Sequence, residues 1–129
     1  ITPILFCFYK GLDNTKRSFK SIRISKPKKI YLASDGPLSE KDSEEILKIR
    51  RWVLNSINWD CEINTLFRKN NLGVKKAISG AIDWVSSQDD YFFVIECDCH
   101  VHPIFIKLAC VEPLEVFFGA KLNFSANNL

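Results

Sequence analysis

No stretch of the chain approaches the roughly 20 consecutive apolar residues that a membrane-spanning helix needs. The apolar opening Ile4-Leu5-Phe6-Cys7-Phe8 lacks a basic leader and is too short for a signal-peptide core. Glycine-rich phosphate loops are missing too: neither GxGxxG nor GxxxxGK followed by Ser or Thr occurs. A dinucleotide-binding domain is thereby disfavoured and a P-loop NTPase excluded. Cysteine is present five times, an odd number without framework spacing. That argues against a disulfide scaffold and for reduced thiols in a cytoplasmic setting. Cys7, Cys61 and Cys110 lie in apolar surroundings and read as buried thiols. Charge of one sign is not in large excess, with 18 basic against 15 acidic residues and a formal +3. The cluster Lys16, Arg17, Lys20, Arg23, Lys26, Lys28 and Lys29 lacks a recognition motif and interleaved aromatics. It reads as a solvated helix face in preference to a nucleic-acid or anionic membrane contact, and no nucleic-acid partner is expected.

What is present supports one domain. The 129 residues are 47% hydrophobic and 12% aromatic, with no internal repeat, low-complexity tract or linker. The first residue is not Met and residues 125–129 offer no closing element, so the domain is expected to be a truncated part of a longer chain. Missing sheet edges or a missing half would expose apolar surface, which makes self-association an expectation.

The most informative stretch is Tyr91-Phe92-Phe93-Val94-Ile95-Glu96-Cys97-Asp98-Cys99-His100-Val101-His102-Pro103. Its unbroken aromatic and β-branched run suits a strand buried on both faces. Alternation along that strand predicts that Glu96 and Asp98 emerge together on one face at its carboxyl end. Two carboxylates that close repel unless a cation lies between them, and hard divalent ions with phosphate oxygens are the usual occupants.

Strand and helix alternate before that point. Residues 3–9 read as a strand, followed by a helix capped by Asp13 or Asn14 with Thr15, Phe19 and Ile22 inward. Pro27 ends it, residues 29–33 give a second strand, and Ser34-Asp35-Gly36-Pro37 is turn chemistry. Ser39 and Asp42 resemble a capping box for a helix to about Ser56, with Ile46, Ile49, Val53 and Ile57 at helical spacing. Residues 61–67 read as a third strand and 68–73 as a loop. A third helix carries Val74, Ala77, Ile78, Ala81, Ile82 and Val85 on its apolar face, with Gly80 allowing close packing on the sheet. A short helix over 104–111 and a strand over 115–124 are expected last. The alternation predicts an α/β, three-layer Rossmann-like domain with a mostly parallel central sheet and its ligand at the carboxyl ends of the strands.

Those ends carry Tyr9-Lys10-Gly11, Ser34-Asp35-Gly36, Arg68-Lys69-Asn70-Asn71 and Glu96-x-Asp98. Together with Pro3-Ile4-Leu5-Phe6-Cys7-Phe8-Tyr9, Phe67 to Gly73 and Pro103-Ile104-Phe105, they resemble the nucleotide-sugar half of a GT-A glycosyltransferase. The nearest type is the family 2-like group with a Glu-Asp-Asp version of the DxD motif, shared in style with N-acetylglucosaminyltransferases. The resemblance covers nearly the whole chain, and its specificity comes from the ordered combination of motifs. It implies a nucleotide-sugar donor, UDP- or GDP-linked, and Mn²⁺ or Mg²⁺. Phe8 and Tyr9 would lie beside the base, Asp35 would accept a hydrogen bond from a ring or amide N–H, and Arg68 would approach base or phosphates. Asn71, Leu72 and Gly73 would let the backbone come close to the nucleotide, and Lys75 or Lys76 would add charge near the diphosphate. Asp98 would bind the metal, with Glu96 acting through the ribose, the metal or a metal-bound water.

The chain departs from that pattern twice. The middle acid of the motif is Cys97, and the elements that supply a catalytic base lie beyond the metal motif. Only Glu112 and Glu115 are acidic after Asp98 and neither matches a motif, so the base and the acceptor are unassigned. The alternative is a non-catalytic truncated α/β domain that keeps the fold. Cys97-x-Cys99-His100-x-His102 is disfavoured as a zinc site, because alternation sends the two pairs to opposite faces. A phospho-receiver lacks its acidic pair after the first strand, and a nucleotidyltransferase would want more than Lys10-Gly11 there.

Overall fold

The central strand of the sheet is buried on both faces, and β1 (Ile4–Phe8) accordingly has no exposed residue. The computed structural model describes residues 2–111, in which β1 is followed by α1 (Leu12–Ser25), β2 (Lys29–Ser34), α2 (Glu40–Ser56) and β3 (Glu62–Phe67). Then come α3 (Val74–Ser86), β4 (Phe93–Glu96) and α4 (Pro103–Val111). The strand expected over residues 115–124, the acids Glu112 and Glu115, and the side chain of Cys110 lie outside the described residues. The four strands are all parallel in the order β3-β2-β1-β4, a three-layer Rossmann-like arrangement.

The alternation of side chains divides the core. Ile4, Phe6, Phe8, Ile30 and Leu32 pack against Phe19 and Ile22 of α1, Ile49 and Val53 of α2, and Ile106 of α4. Leu5, Cys7, Tyr31 and Ala33 meet Ala81 and Val85 of α3 on the other face. Register then aligns the strand ends: Phe8 lies opposite Ser34, Ser34 opposite Phe67, and Cys7 opposite Glu96.

Local signals explain most element limits. Ser39 caps α2, its side chain accepting the Asp42 N–H at 3.4 Å, and Glu40 and Asp42 complement the dipole in its first turn. For α1 the expected cap is corrected. The helix starts one residue before Asp13, behind Gly11 at φ 84°, and no side chain caps it. Pro27 lies two residues past its end, where Lys26 closes it in the left-handed region. The expected strand through Asp98 is corrected as well. β4 stops at Glu96, and the Cys99 N–H donates to the Glu96 carbonyl at 2.9 Å, closing a turn. Alternation therefore does not govern Cys97 to His102. Pro103 opens α4, where His102 Nδ1 accepts the Ile104 N–H at 3.2 Å.

At the amino ends of the strands, Lys29 Nζ lies 2.8 Å from Asp89 Oδ2, which also accepts the Tyr31 hydroxyl. These two bonds, Lys29 first, hold the Asp89 carboxyl below its ordinary value of 3.8. A depressed carboxyl contributes stability that is complete above its unfolded value and lost as pH falls through the folded one. Asp89→Asn is expected to cost about 1 kcal/mol at neutral pH. In urea melts the gap between variant and wild type should close below about pH 4, and a gap unchanged with pH would contradict this pairing.

Among the described residues no helix is long and apolar enough to cross a membrane. No disulfide joins Cys7, Cys61, Cys97 or Cys99. Burial pushes the Cys7 thiol up to about 12. Cys61, expected to be buried, is only half-buried, and its thiol points at the Glu62 carbonyl.

Candidate functional site

A parallel sheet delivers all its strand-to-helix loops to one rim. Here they are bonded to one another. In the β1–α1 loop, Lys10 Nζ pairs with Asp42 Oδ1 at 2.9 Å, and the Gly11 N–H donates to Glu45 Oε1 at 3.2 Å. The start of α2 thus anchors this loop, and Lys10 is already committed.

Asp35, at the end of β2, is 8% exposed. Its Oδ1 accepts the N–H groups of Gly36 at 2.8 Å and Leu72 at 3.0 Å, and its Oδ2 accepts that of Gly73 at 3.1 Å. Asn71 answers from the other loop, donating to the Gly36 carbonyl at 2.9 Å and to the Tyr9 hydroxyl at 3.3 Å. Its own Oδ1 accepts the Gly73 N–H at 3.0 Å. Gly36 is required for the fit: a Cβ there would lie 2.4 Å from the Asn70 carbonyl carbon.

Arg50 completes the frame from α2. Its Nε donates to Ser34 Oγ at 3.0 Å, and its Nη2 to the carbonyls of Ser34, Asp35 and Arg68 at 3.2, 2.9 and 2.8 Å. The guanidinium lies over the Phe67 ring. Burial lowers its pKa, opposed by the charge of Asp35. Sequence reading passed this residue over. Its signal was faint: Arg50 stands four residues after Ile46 and three before Val53, on the flank of the buried stripe.

Arg68 is placed differently. Its guanidinium sits over Gly80, whose added Cβ would lie 2.8 Å from Nη2, and it makes no hydrogen bond or ion pair with a described residue. The close approach anticipated at Gly80 is therefore to this side chain and not to the sheet. The acidic turn is fixed by its backbone. The Cys97 N–H donates to the Cys7 carbonyl at 2.9 Å, and the Cys97 carbonyl accepts the Ser18 hydroxyl from α1. Burial, and then the charge of Asp98, raise the Glu96 carboxyl above its usual range.

These parts enclose a cleft of about 440 Å³. Phe8, Tyr9, Asp35 and Arg68 line it, as do Asn71, Gly73, Glu96 and Asp98, whereas Leu72 does not. Their circumstances differ. Phe8 is 4% exposed and stacks on Phe6, so it offers the cleft only part of a core ring. Asp35 and Asn71 spend most of their bonding capacity on the loops. Lys75 and Lys76 are exposed and do not line the cleft. Leu38, Val74, Ala77 and Ile78 form an apolar wall, the last three drawn from the helix face that the sequence assigned to packing on the sheet. α3 has no side-chain cap from Gly73 and no acid in its first turn, which leaves its first N–H groups to favour negative charge, while the Gly73 N–H itself is taken by Asp35 and Asn71.

For a cation, the protein supplies Glu96 and Asp98. No group of three His, Cys, Asp or Glu side chains that could hold a metal occurs among the described residues. Cys99 Sγ lies 3.7 Å from Asp98 Oδ1, and His102 is engaged at the start of α4, so neither completes such a group. The donor set suits a hard ion that takes its other ligands from phosphate and water, as Mg²⁺ does. It does not suit an ion held by protein alone. No family model matches this chain, nor does any curated protein or solved structure.

Proposed function

We propose that the chain is the donor-binding half of a glycosyltransferase, taking a nucleotide-sugar together with Mn²⁺ or Mg²⁺. One observation carries the reading. One cleft at the carboxyl rim contains two mutually repelling carboxylates, a guanidinium with no ion pair among the described residues, and a helix start with no acid in its first turn. A diphosphate with a divalent ion complements all three. Arg68 offers paired N–H donors to phosphate oxygens, and the α3 start favours negative charge. Glu96 and Asp98 would hold the ion, which when bound neutralises charge on the diphosphate leaving group. The apolar wall of Leu38, Val74 and Ile78 suits the flat face of a base. The Asp35–Asn71 frame presents backbone close to it.

A second reading, binding without transfer, is favoured by a specific observation. Among the described residues, Asp35, Glu96 and Asp98 are the only carboxylates lining the cleft, and none is spare to accept a proton from an acceptor hydroxyl. Both readings share the donor site and part at turnover.

Calorimetric titration with UDP and GDP, each with and without Mn²⁺, tests the site. One nucleotide should bind at least about tenfold more tightly with Mn²⁺, and Asp98→Ala should remove that gain while leaving the metal-free affinity in place. Mn²⁺ alone should give no saturable heat. Absence of nucleotide binding under every condition would sink the donor reading. Binding without release of sugar from the matching nucleotide-sugar would favour the second.

A further inference from the structure

The charge of this chain is unevenly distributed. Seven of its 18 basic residues and one of its 15 acids fall between Leu12 and Lys29, so that segment carries a formal +6 and the remainder −3. Folding places these charges on one surface. The inner side of α1 is spent on Thr15, Ser18, Phe19 and Ile22, all buried. Lys16, Arg17, Lys20 and Arg23 are left exposed on the outer side, continued by Lys26 and Lys28 beyond the helix. None of these six forms an ion pair with a described residue, and Lys16 only overlies the Trp52 ring. Lys29, by contrast, is neutralised by Asp89 and Glu62. The exposed face of α2 mixes both signs, with Glu40, Lys41, Glu44, Glu45, Lys48 and Arg51.

We propose that the outer face of α1 docks on an anionic membrane surface. This row of cations has no ion-pair partner among the described residues, and each charge left in water adds to self-repulsion. An anionic lipid headgroup layer supplies the missing charge over a broad area, which matches a row of exposed cations along one helix. Ile24 adds an apolar contact. It is 49% exposed and stacks one turn beyond Lys20 and two beyond Arg17, inside the basic stripe. Nucleic acid fits this face less well. The only aromatic residue of α1, Phe19, is fully buried, so the helix offers nothing for base stacking. Asp13, at the first turn, is the sole acid on the helix. This docking is independent of the donor site.

Co-sedimentation of the 129-residue chain with vesicles tests it. Vesicles of equal parts phosphatidylcholine and phosphatidylserine should carry the protein down at low salt, and phosphatidylcholine alone should not. Raising the salt should release it, because charges at such a surface are screened within about 8 Å at physiological ionic strength. The quadruple variant Arg17→Gln, Lys20→Gln, Arg23→Gln, Lys28→Gln changes only exposed side chains and should bind at least about tenfold more weakly at an unchanged melting temperature. Lys41→Gln with Lys48→Gln on α2 should leave binding unchanged. Equal sedimentation with both vesicle types, or undiminished binding by the folded quadruple variant, would overturn the proposal. So would tighter binding to RNA than to the anionic vesicles at the same salt.

Discussion

Gly36→Ala is expected to destabilise the protein by about 3 kcal/mol, lowering its melting temperature by roughly 10 °C. The new Cβ would lie 2.4, 2.5 and 2.6 Å from the carbonyl carbon, oxygen and nitrogen of Asn70. Those are backbone atoms of the facing loop, itself tied by the Arg68 N–H to the Ser34 carbonyl at 3.1 Å. Neither side can turn away as a side chain can, so one loop must leave its place. Gly80→Ala is the control. Its Cβ would meet the far end of the flexible Arg68 side chain at 2.8 Å, and the helix would gain about 1 kcal/mol of propensity. Gly80→Ala should thus be close to neutral in urea melts while moving the guanidinium. A Gly36→Ala protein within about 0.5 kcal/mol of wild type would show that the two loops are not in contact.

Asp35→Ala should have an effect of similar size for a different reason. The Gly36 and Leu72 N–H groups would lose their acceptor, while that of Gly73 keeps Asn71. Stranding two donors at about 1–3 kcal/mol each gives an expected loss of about 3 kcal/mol. Asp35→Asn keeps one carbonyl oxygen but turns an NH₂ toward N–H donors, so about half that loss is expected. The ordering separates two roles. A carboxylate that served only a ligand would leave the melting temperature untouched on replacement by Ala. One that holds the loops lowers it with no ligand present.

Much of this arrangement was legible in the sequence because parallel α/β topology is a strong rule. Once apolar runs alternate with helical stripes, the loops after each strand must share a rim, and Tyr9, Asp35, Arg68, Asn71 and Glu96 were found together on that basis. The Ser39 cap was readable because its signal is local. What failed was information that only tertiary contact creates. The turn after Glu96, closed by the Cys99 N–H on the Glu96 carbonyl and held by the Ser18 hydroxyl on the Cys97 carbonyl, overrides alternation. The start of α1 uses the permissive backbone of Gly11 in place of a polar side chain. The reason for Gly80 lies at Arg68, twelve positions earlier. Arg50 was passed over because an arginine on a helix flank reads as surface until the carbonyls it meets are known.

The bridge made by Arg50 also bears on how the rim responds to a partner. One planar group holds the ends of two strands and the loop after each, and Asp35 and Asn71 hold the same loops from within. The conformational freedom of these loops is therefore surrendered when the chain folds and not when something enters the cleft. An incoming molecule meets walls already set in place, and its encounter carries little ordering entropy beyond its own. Selectivity at such a rim rests on shape, because loops restrained from three directions cannot remodel themselves around a poor fit.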